Sequence, residues 1–334
     1  MNYRIKKYLN FFIFLSLSGV LLFFAFKDVD LRFILKGFLE ANFFWVILSL
    51  LVGIASHVIR SLRWQLLIEP LGKRPRLINT IGAVMIGYFA NLALPRVGEV
   101  TRCGVLNKRE NLPFESLLGT VIVERVSDLI MLVAITLVTI LLKFNFFGKF
   151  IITNLLSPIK NRIQETSETN ILAILGVTLV TILLAYFFIS RFLGGKAKDR
   201  MRSILKGLAN GLKAIGQMNS KWLFVVYTLL LWFCYWLMTY LLLFSIPATS
   251  DLGTADALFL LVAGSVGMLI PVQGGFGAFH IATALGLGLY GISQEEGLIF
   301  ATVSHESQTL LIIAIGLFFV SLFMNRKATS KPLI

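Results

Sequence analysis

Acidic side chains are scarce in this chain, and histidine and cysteine nearly absent. Among 334 residues there are 17 Asp and Glu against 31 Lys and Arg, with three His and two Cys. Cys103 and Cys234 make neither a disulfide framework nor a zinc pattern, and read as small apolar residues in helices. His280 and His305 stand apart from Cys and from any ligand spacing, so no metal site is expected. The glycines Gly274, Gly275 and Gly277 follow no strand, which excludes a nucleotide loop; ATP and other cofactors are not expected. No Ser-His-Asp order occurs, and Glu124 with Asp128 is the one acid/base pair available to an enzyme reading. No basic soluble domain exists to carry the net charge of +14 onto nucleic acid. The Lys and Arg residues sit mainly in loops, where they favour cytoplasmic retention and anionic lipid heads.

What the chain has instead is apolar length. It is 57% hydrophobic, with a mean hydropathy of +0.83, against roughly 45–50% in soluble domains. The excess comes in blocks of about 20 residues, the span of a bilayer. Expected spans are 8–26, 43–59, 114–142, 171–190, 223–246 and 297–323. The start Arg4-Ile5-Lys6-Lys7 imitates a signal peptide, but no cleavage pattern follows, so the first span is expected to remain.

Two shorter apolar runs end in breaks. Leu77 to Leu94 runs into Leu94-Pro95-Arg96-Val97-Gly98-Glu99, and Leu258 to Ile270 runs into Ile270-Pro271-Val272-Gln273-Gly274-Gly275-Phe276-Gly277. Proline removes a backbone donor and glycine frees the backbone, so neither helix passes undisturbed. Such backbone survives at membrane depth only inside protein or beside a water-filled cavity. The stretch 101–111 is too short and too charged to span, so both broken units read as re-entrant. The expected fold is an all-α polytopic integral membrane protein with about six spanning helices plus two re-entrant broken segments. It forms a single transmembrane domain, with halves at about 8–143 and 171–324 and no soluble catalytic domain.

The halves share an element order, and the last spans align at an offset of 180, which sets Arg125 against His305 and Asp128 against Gln308. Three crossings per half would invert one half relative to the other. The positive-inside rule then places both termini, the Arg60–Arg76 loop and the basic 191–221 connector in the cytoplasm, and Asp251, Asp256, Glu295 and Glu296 outside. The expected location is the cell inner membrane.

Glu124, Arg125 and Asp128 lie inside the apolar length of one helix, where each charge costs about 2.5–3.5 kcal/mol on insertion scales. Their spacing lets them share a face. They form either a structural cluster tying helices together or a polar headgroup cradle. Arg60 and Arg63, three apart beside Trp64, read as a positive-inside anchor or a headgroup contact. After the first break, Arg96 and Arg102 suit a phosphate and Glu99 an ammonium group, unless they snorkel to the interface. Gln273, Gly274 and Gly275 offer free amides to a phosphate oxygen, or else let helices pack closely. His305 beside Glu306 is a candidate proton relay or a structural hydrogen bond; His280 lies on the returning helix.

Several of these residues carry a resemblance. Arg60-Ser61-Leu62-Arg63-Trp64, Gly87-Tyr88-Phe89-Ala90-Asn91 leading into the first break, Arg102, Glu124-Arg125-Val126-Ser127-Asp128 and Pro271 to Phe279 resemble the lysylphosphatidylglycerol synthase transmembrane region family. The resemblance implies a flippase-like membrane domain. In the bifunctional aminoacyl-phosphatidylglycerol synthases such a domain moves the modified lipid between leaflets. Synthesis there belongs to a separate soluble domain fed by aminoacyl-tRNA. None follows the last span here, so lysyl-lipid synthesis is not implied. Stand-alone members are associated with glycolipid or cell-envelope pathways. His280 falls where an acidic residue is expected, which weighs against recognition of a cationic headgroup there.

The resulting expectation is translocation of a lipid or lipid-linked substrate. Partners would be membrane lipids, an anionic or modified phospholipid or a glycolipid, and a second copy or an envelope protein. The alternatives are a membrane enzyme transferring a group onto a lipid carrier and an envelope scaffold.

Overall fold

The computed structural model describes residues 31–144 and 220–325, with isolated positions between 16 and 25 and Met218. The span expected over 8–26, apart from those positions, the span over 171–190, the connector up to residue 220 and the basic tail lie outside the described residues. Residues 1–136 with 215–334 make one compact unit and residues 137–214 a second. Of the second unit only residues 137–144 are described, and they belong mostly to the end of one helix.

Every described regular element is helical. In order these are α1 Leu31–Glu40, α2 Phe43–Ile68, α3 Leu77–Ala93, α4 Gly98–Glu110 and α5 Phe114–Leu142, then α6 Lys221–Leu243, α7 Thr254–Leu269, α8 Ala278–Gly288 and α9 Gln294–Asn325. Among the described residues four helices are long and apolar enough to cross a bilayer: α2 with its following turn, α5, α6 and α9. At 17 and 16 residues, α3 and α7 reach only about 25 Å, short of a bilayer core of about 30 Å.

Two boundaries differ from the sequence reading. Residues 31–40, which lie between the first two expected spans, form α1. Leu31, Ile34, Leu35 and Phe38 recur at helical spacing, and Phe38 packs against the core. Helix α2 does not stop near Ile59 but runs on through Arg60, Arg63 and Trp64 to Ile68. Its start is capped by the Asn42 side chain, which accepts from the Phe44 N–H at 3.1 Å.

Both breaks are present, and each turns the chain back on itself. After α3, Leu94 is extended, Arg96 takes φ +62° and α4 begins. The Gly98 N–H at the start of α4 donates to Asn91 Oδ1 at 2.7 Å. Gly87 and Gly98 face each other so closely that a Cβ on either would strike the other's carbonyl oxygen. After α7, Ile270 and Val272 are extended and Gln273–Gly275 forms a short 3-10 turn before α8. Here Gly267 lies against the carbonyl of Ala278.

The open end of each hairpin is tied. Glu110, closing α4, accepts from the Arg76 backbone N–H at 3.0 Å and from Asn79 Nδ2 at 2.6 Å, and pairs with Lys73 at 3.0 Å. Burial opposes its charge, but those donors outweigh it and hold the carboxyl below the usual carboxylate range. In the second hairpin Asp256 Oδ2 caps the start of α7 by accepting from the Gly253 N–H at 2.8 Å. Tyr290, just beyond α8, meets Asp256; burial and that carboxylate push its phenol well above the ordinary range.

One offset relates these features. The starts of α4 and α5 recur 180 residues later at the starts of α8 and α9. The contact Gly87–Gly98 recurs as Gly267–Ala278, and Arg76–Glu110 as Asp256–Tyr290.

Candidate functional site

The two breaks meet each other. Arg96 Nη2 donates to the Leu269 carbonyl at 3.3 Å, and Gln273 Nε2 donates to the Ala93 carbonyl at 3.2 Å. Each side chain reaches a last-turn carbonyl of the other hairpin's first helix, a group left without a partner along its own helix. The left-handed backbone at Arg96 costs about 1–2 kcal/mol in a residue with a Cβ. Gly274, at φ +57°, lies so close to Leu92 that a Cβ would come within 2.8 Å of it. Glycine is needed there for conformation and for approach.

Beside the first hairpin lies a network of arginines and carboxylates. Glu124 on α5 pairs with Arg60 Nη1 from α2 and, at 3.0 Å, with Arg102 Nη1 from α4. Arg63 from α2 reaches Asp128 at 2.7 Å and Glu124 at 3.5 Å, while Arg60 reaches Asp128 at 3.2 Å. Tyr235 on α6 joins the network, its hydroxyl accepting from Arg60 Nη2 at 3.0 Å. Arg102 also lies over the Trp64 ring at 4.5 Å. Trp64 in turn donates to Thr120 Oγ1 at 2.9 Å. The carboxylates of α5 thus tie α2 and α4, and α2 carries the network on to α6 through Tyr235 and through Thr228 Oγ1, which accepts from Arg63 Nη1 at 3.4 Å.

The placement of three arginines corrects the sequence reading. Arg60, Arg63 and Arg102 are neither interfacial anchors nor snorkelling side chains: all three are buried. The physical reason is that α5 presents Glu124 and Asp128 at their depth, so the charges are neutralised where they stand. The network has an open edge. The Arg125 side chain is 44% exposed and Glu99 28%, the two 4.0 Å apart, and Arg125 lies 3.8 Å from Asp128. Arg125 still joins the buried members, its Nη2 donating to Glu124 Oε1 at 3.4 Å. Tyr235, Thr120 and Thr228 were absent from the sequence reading. Each is an ordinary helix residue far along the chain from its partner, and no local signal marks it.

The second hairpin has its own polar group. His305 and Glu306 on α9 meet His280 on α8. His305 Nδ1 is 3.0 Å from Glu306 Oε1, and His280 Nε2 is 3.5 Å from the same oxygen. His305 Nε2 lies 2.8 Å from the Gly274 carbonyl oxygen. Phe276 and Phe279 each pack on His305 with ring centroids 5.1 Å apart. The two histidines that the sequence held apart are brought together because α8 folds back against α9. Gly275, at φ +85°, fits the same turn.

The profile of the family described as Lysylphosphatidylglycerol synthase TM region matches residues 11–316. A UPF0104 membrane protein of Methanocaldococcus jannaschii, MJ1595, is 33% identical over 128 residues, covering 37% of this chain and 36% of that one. Glycosyltransferase AglD of Haloferax volcanii is 32% identical over 80 residues, 24% of this chain and 13% of that one. The chain thus matches well under two thirds of the length of either relative. No solved structure matches it.

Proposed function

The chain belongs to the lysylphosphatidylglycerol synthase TM region family, and from that premise we propose that it moves a lipid or lipid-linked substrate between leaflets. It is a multi-pass membrane protein. The observation that carries the proposal is the meeting of two helix breaks, each closing on a carbonyl of the other, beside a charged network with one open edge. A headgroup crossing apolar lipid needs polar contacts at depth, and interrupted helices at matching positions in two halves supply them. Arg96, Arg125 and Glu99 are the contacts within reach. An anionic or modified phospholipid or a glycolipid fits four guanidiniums set against three carboxylates.

In this reading the two hairpins are re-entrant, six helices span, and the halves are inverted repeats. The shared offset of helix starts and contacts supports the repeat. The protein sits in the cell inner membrane with both termini cytoplasmic. The enzyme alternative is weaker, because Glu124 and Asp128 direct their oxygens at guanidiniums rather than at a substrate.

Reconstitution with labelled anionic, aminoacylated and glycosylated lipids tests the proposal. Movement of at least one class faster than in empty liposomes supports it. Failure of all three in well-incorporated protein overturns it.

A further inference from the structure

The hydrogen bonding around His305 is unbalanced. Its two ring nitrogens face the Gly274 carbonyl oxygen at 2.8 Å and the Glu306 carboxylate at 3.0 Å. Both partners are acceptors, and a neutral imidazole has one N–H to give. With Nε2–H donated to Gly274, the Nδ1 lone pair points at a carboxylate oxygen. Either a proton or a metal ion has to bridge them. That is also the arrangement of a metal-binding histidine, which commonly donates its second ring N–H to a backbone carbonyl.

The third group is in place. One ligand atom from each of His280, His305 and Glu306 lies within 4.8 Å of the other two. Donor atoms on a tetrahedron with bonds of about 2.0–2.1 Å stand roughly 3.3 Å apart, and the two separations to Glu306 are 3.0 and 3.5 Å. Both histidines are nearly enclosed, His280 at 2% and His305 at 8% exposure. Glu306 is partly open, which leaves a way in and a free coordination position. Two imidazoles and one carboxylate form a donor set that suits zinc and its neighbours rather than magnesium or calcium.

We propose that His280, His305 and Glu306 form a three-ligand site for a zinc-class divalent cation at the second helix break, with the Gly274 carbonyl orienting His305. The ion leaves a fourth position for water or an anionic oxygen. It places a net positive charge at a hairpin whose turn has no basic residue of its own. The site stands on its donor geometry and is independent of the translocation reading.

The chain has three histidines, so the test is clean. Full-length protein with a histidine-free tag is stripped with a chelator, then titrated with zinc and with cobalt(II). About one equivalent is expected to bind. Cobalt is expected to give the visible bands of a four- or five-coordinate site, with no sulfur charge-transfer band. H280Q, H305Q and E306Q are each expected to weaken zinc binding at least about tenfold. H57Q, and C103S with C234S, are expected to leave it unchanged. No stoichiometric binding to monodisperse wild type overturns the proposal. Binding that survives H305Q, or that is lost in the cysteine variant, overturns it as well. A flippase assay moves independently of either result.

Discussion

At the first hairpin the surrounding helices carry Arg60, Arg63, Arg102 and Arg125 against Glu99, Glu124 and Asp128. At the second hairpin they carry His280 and His305 against Glu306. The backbone plan is shared: a short apolar helix, a turn through positive φ, a returning helix and a tie across the open end. The side-chain chemistry is not shared. Guanidiniums keep their charge, so the first network must be balanced on folding and is assembled from four helices. Imidazoles are charged only when protonated, so the second group has a variable element, and only α8 and α9 are needed to build it. The first hairpin is therefore bound into the scaffold through its polar groups. The second is bound mainly by packing, with Ala257, Leu260, Ala284 and Leu287 in one core with Leu298, Phe300 and Val303 of α9, and Gly297 against Ala284.

The sharpest way to break this contrast is to remove one carboxylate from each side. E124Q leaves Arg60 and Arg102 without their shared partner, and a loss of about 3 kcal/mol is expected, read as a fall in melting temperature in detergent. E306Q is expected to cost about 1 kcal/mol. Equal effects would mean that the two networks do the same structural work.

The next test separates the buried members from the open edge. R125Q is expected to leave the stability, read from thermal melts, within about 0.5 kcal/mol of wild type. It is expected to slow lipid movement about tenfold, the worth of one charge-assisted hydrogen bond. Unchanged transport in R125Q would remove the edge from the proposed path.

A smaller effect probes the crossing of the breaks. R96A gives up the bond to Leu269 while keeping a strained backbone, and is expected to cost about 1 kcal/mol. R96G gives up the same bond but relieves the left-handed strain, and is expected to lie near wild type. Q273A is expected to match R96A. Thermal melts of the three variants check this order.

The smallest effect concerns the tie of the first hairpin. A carboxyl held below its unfolded range adds stability that is present above the unfolded pKa and is lost as pH falls through the folded one. Melting temperature is therefore expected to fall on acidification below the usual carboxylate range. E110Q is expected to flatten that acid limb. An identical acid limb in E110Q would show that Glu110 has no such role.

Much of the fold was legible because apolar length and punctuation are local. Helix α5 begins and ends where its hydrophobic run does, and Pro95 and Pro271 with their glycines marked both breaks. The extent of α2 was misread because charge in an apolar helix looks like an end when its partner is out of sight. Arg60 and Glu124 are 64 residues apart, and nothing in the local pattern says that they pair. The snorkelling alternative for Arg102 fails for the same reason, since Arg102 is buried against Glu124.

The sequence alone determined that this chain is a helical membrane protein, where its described long apolar helices run, and where the chain breaks. Hydrophobic burial and backbone sterics act over a few neighbouring residues, so their traces stay in order along the chain. Which charges are spent on one another, which remain open, and that two lone histidines share a carboxylate were decided only by the tertiary structure. Electrostatic pairing depends on distance in space, and helix packing sets that distance between residues the chain keeps far apart.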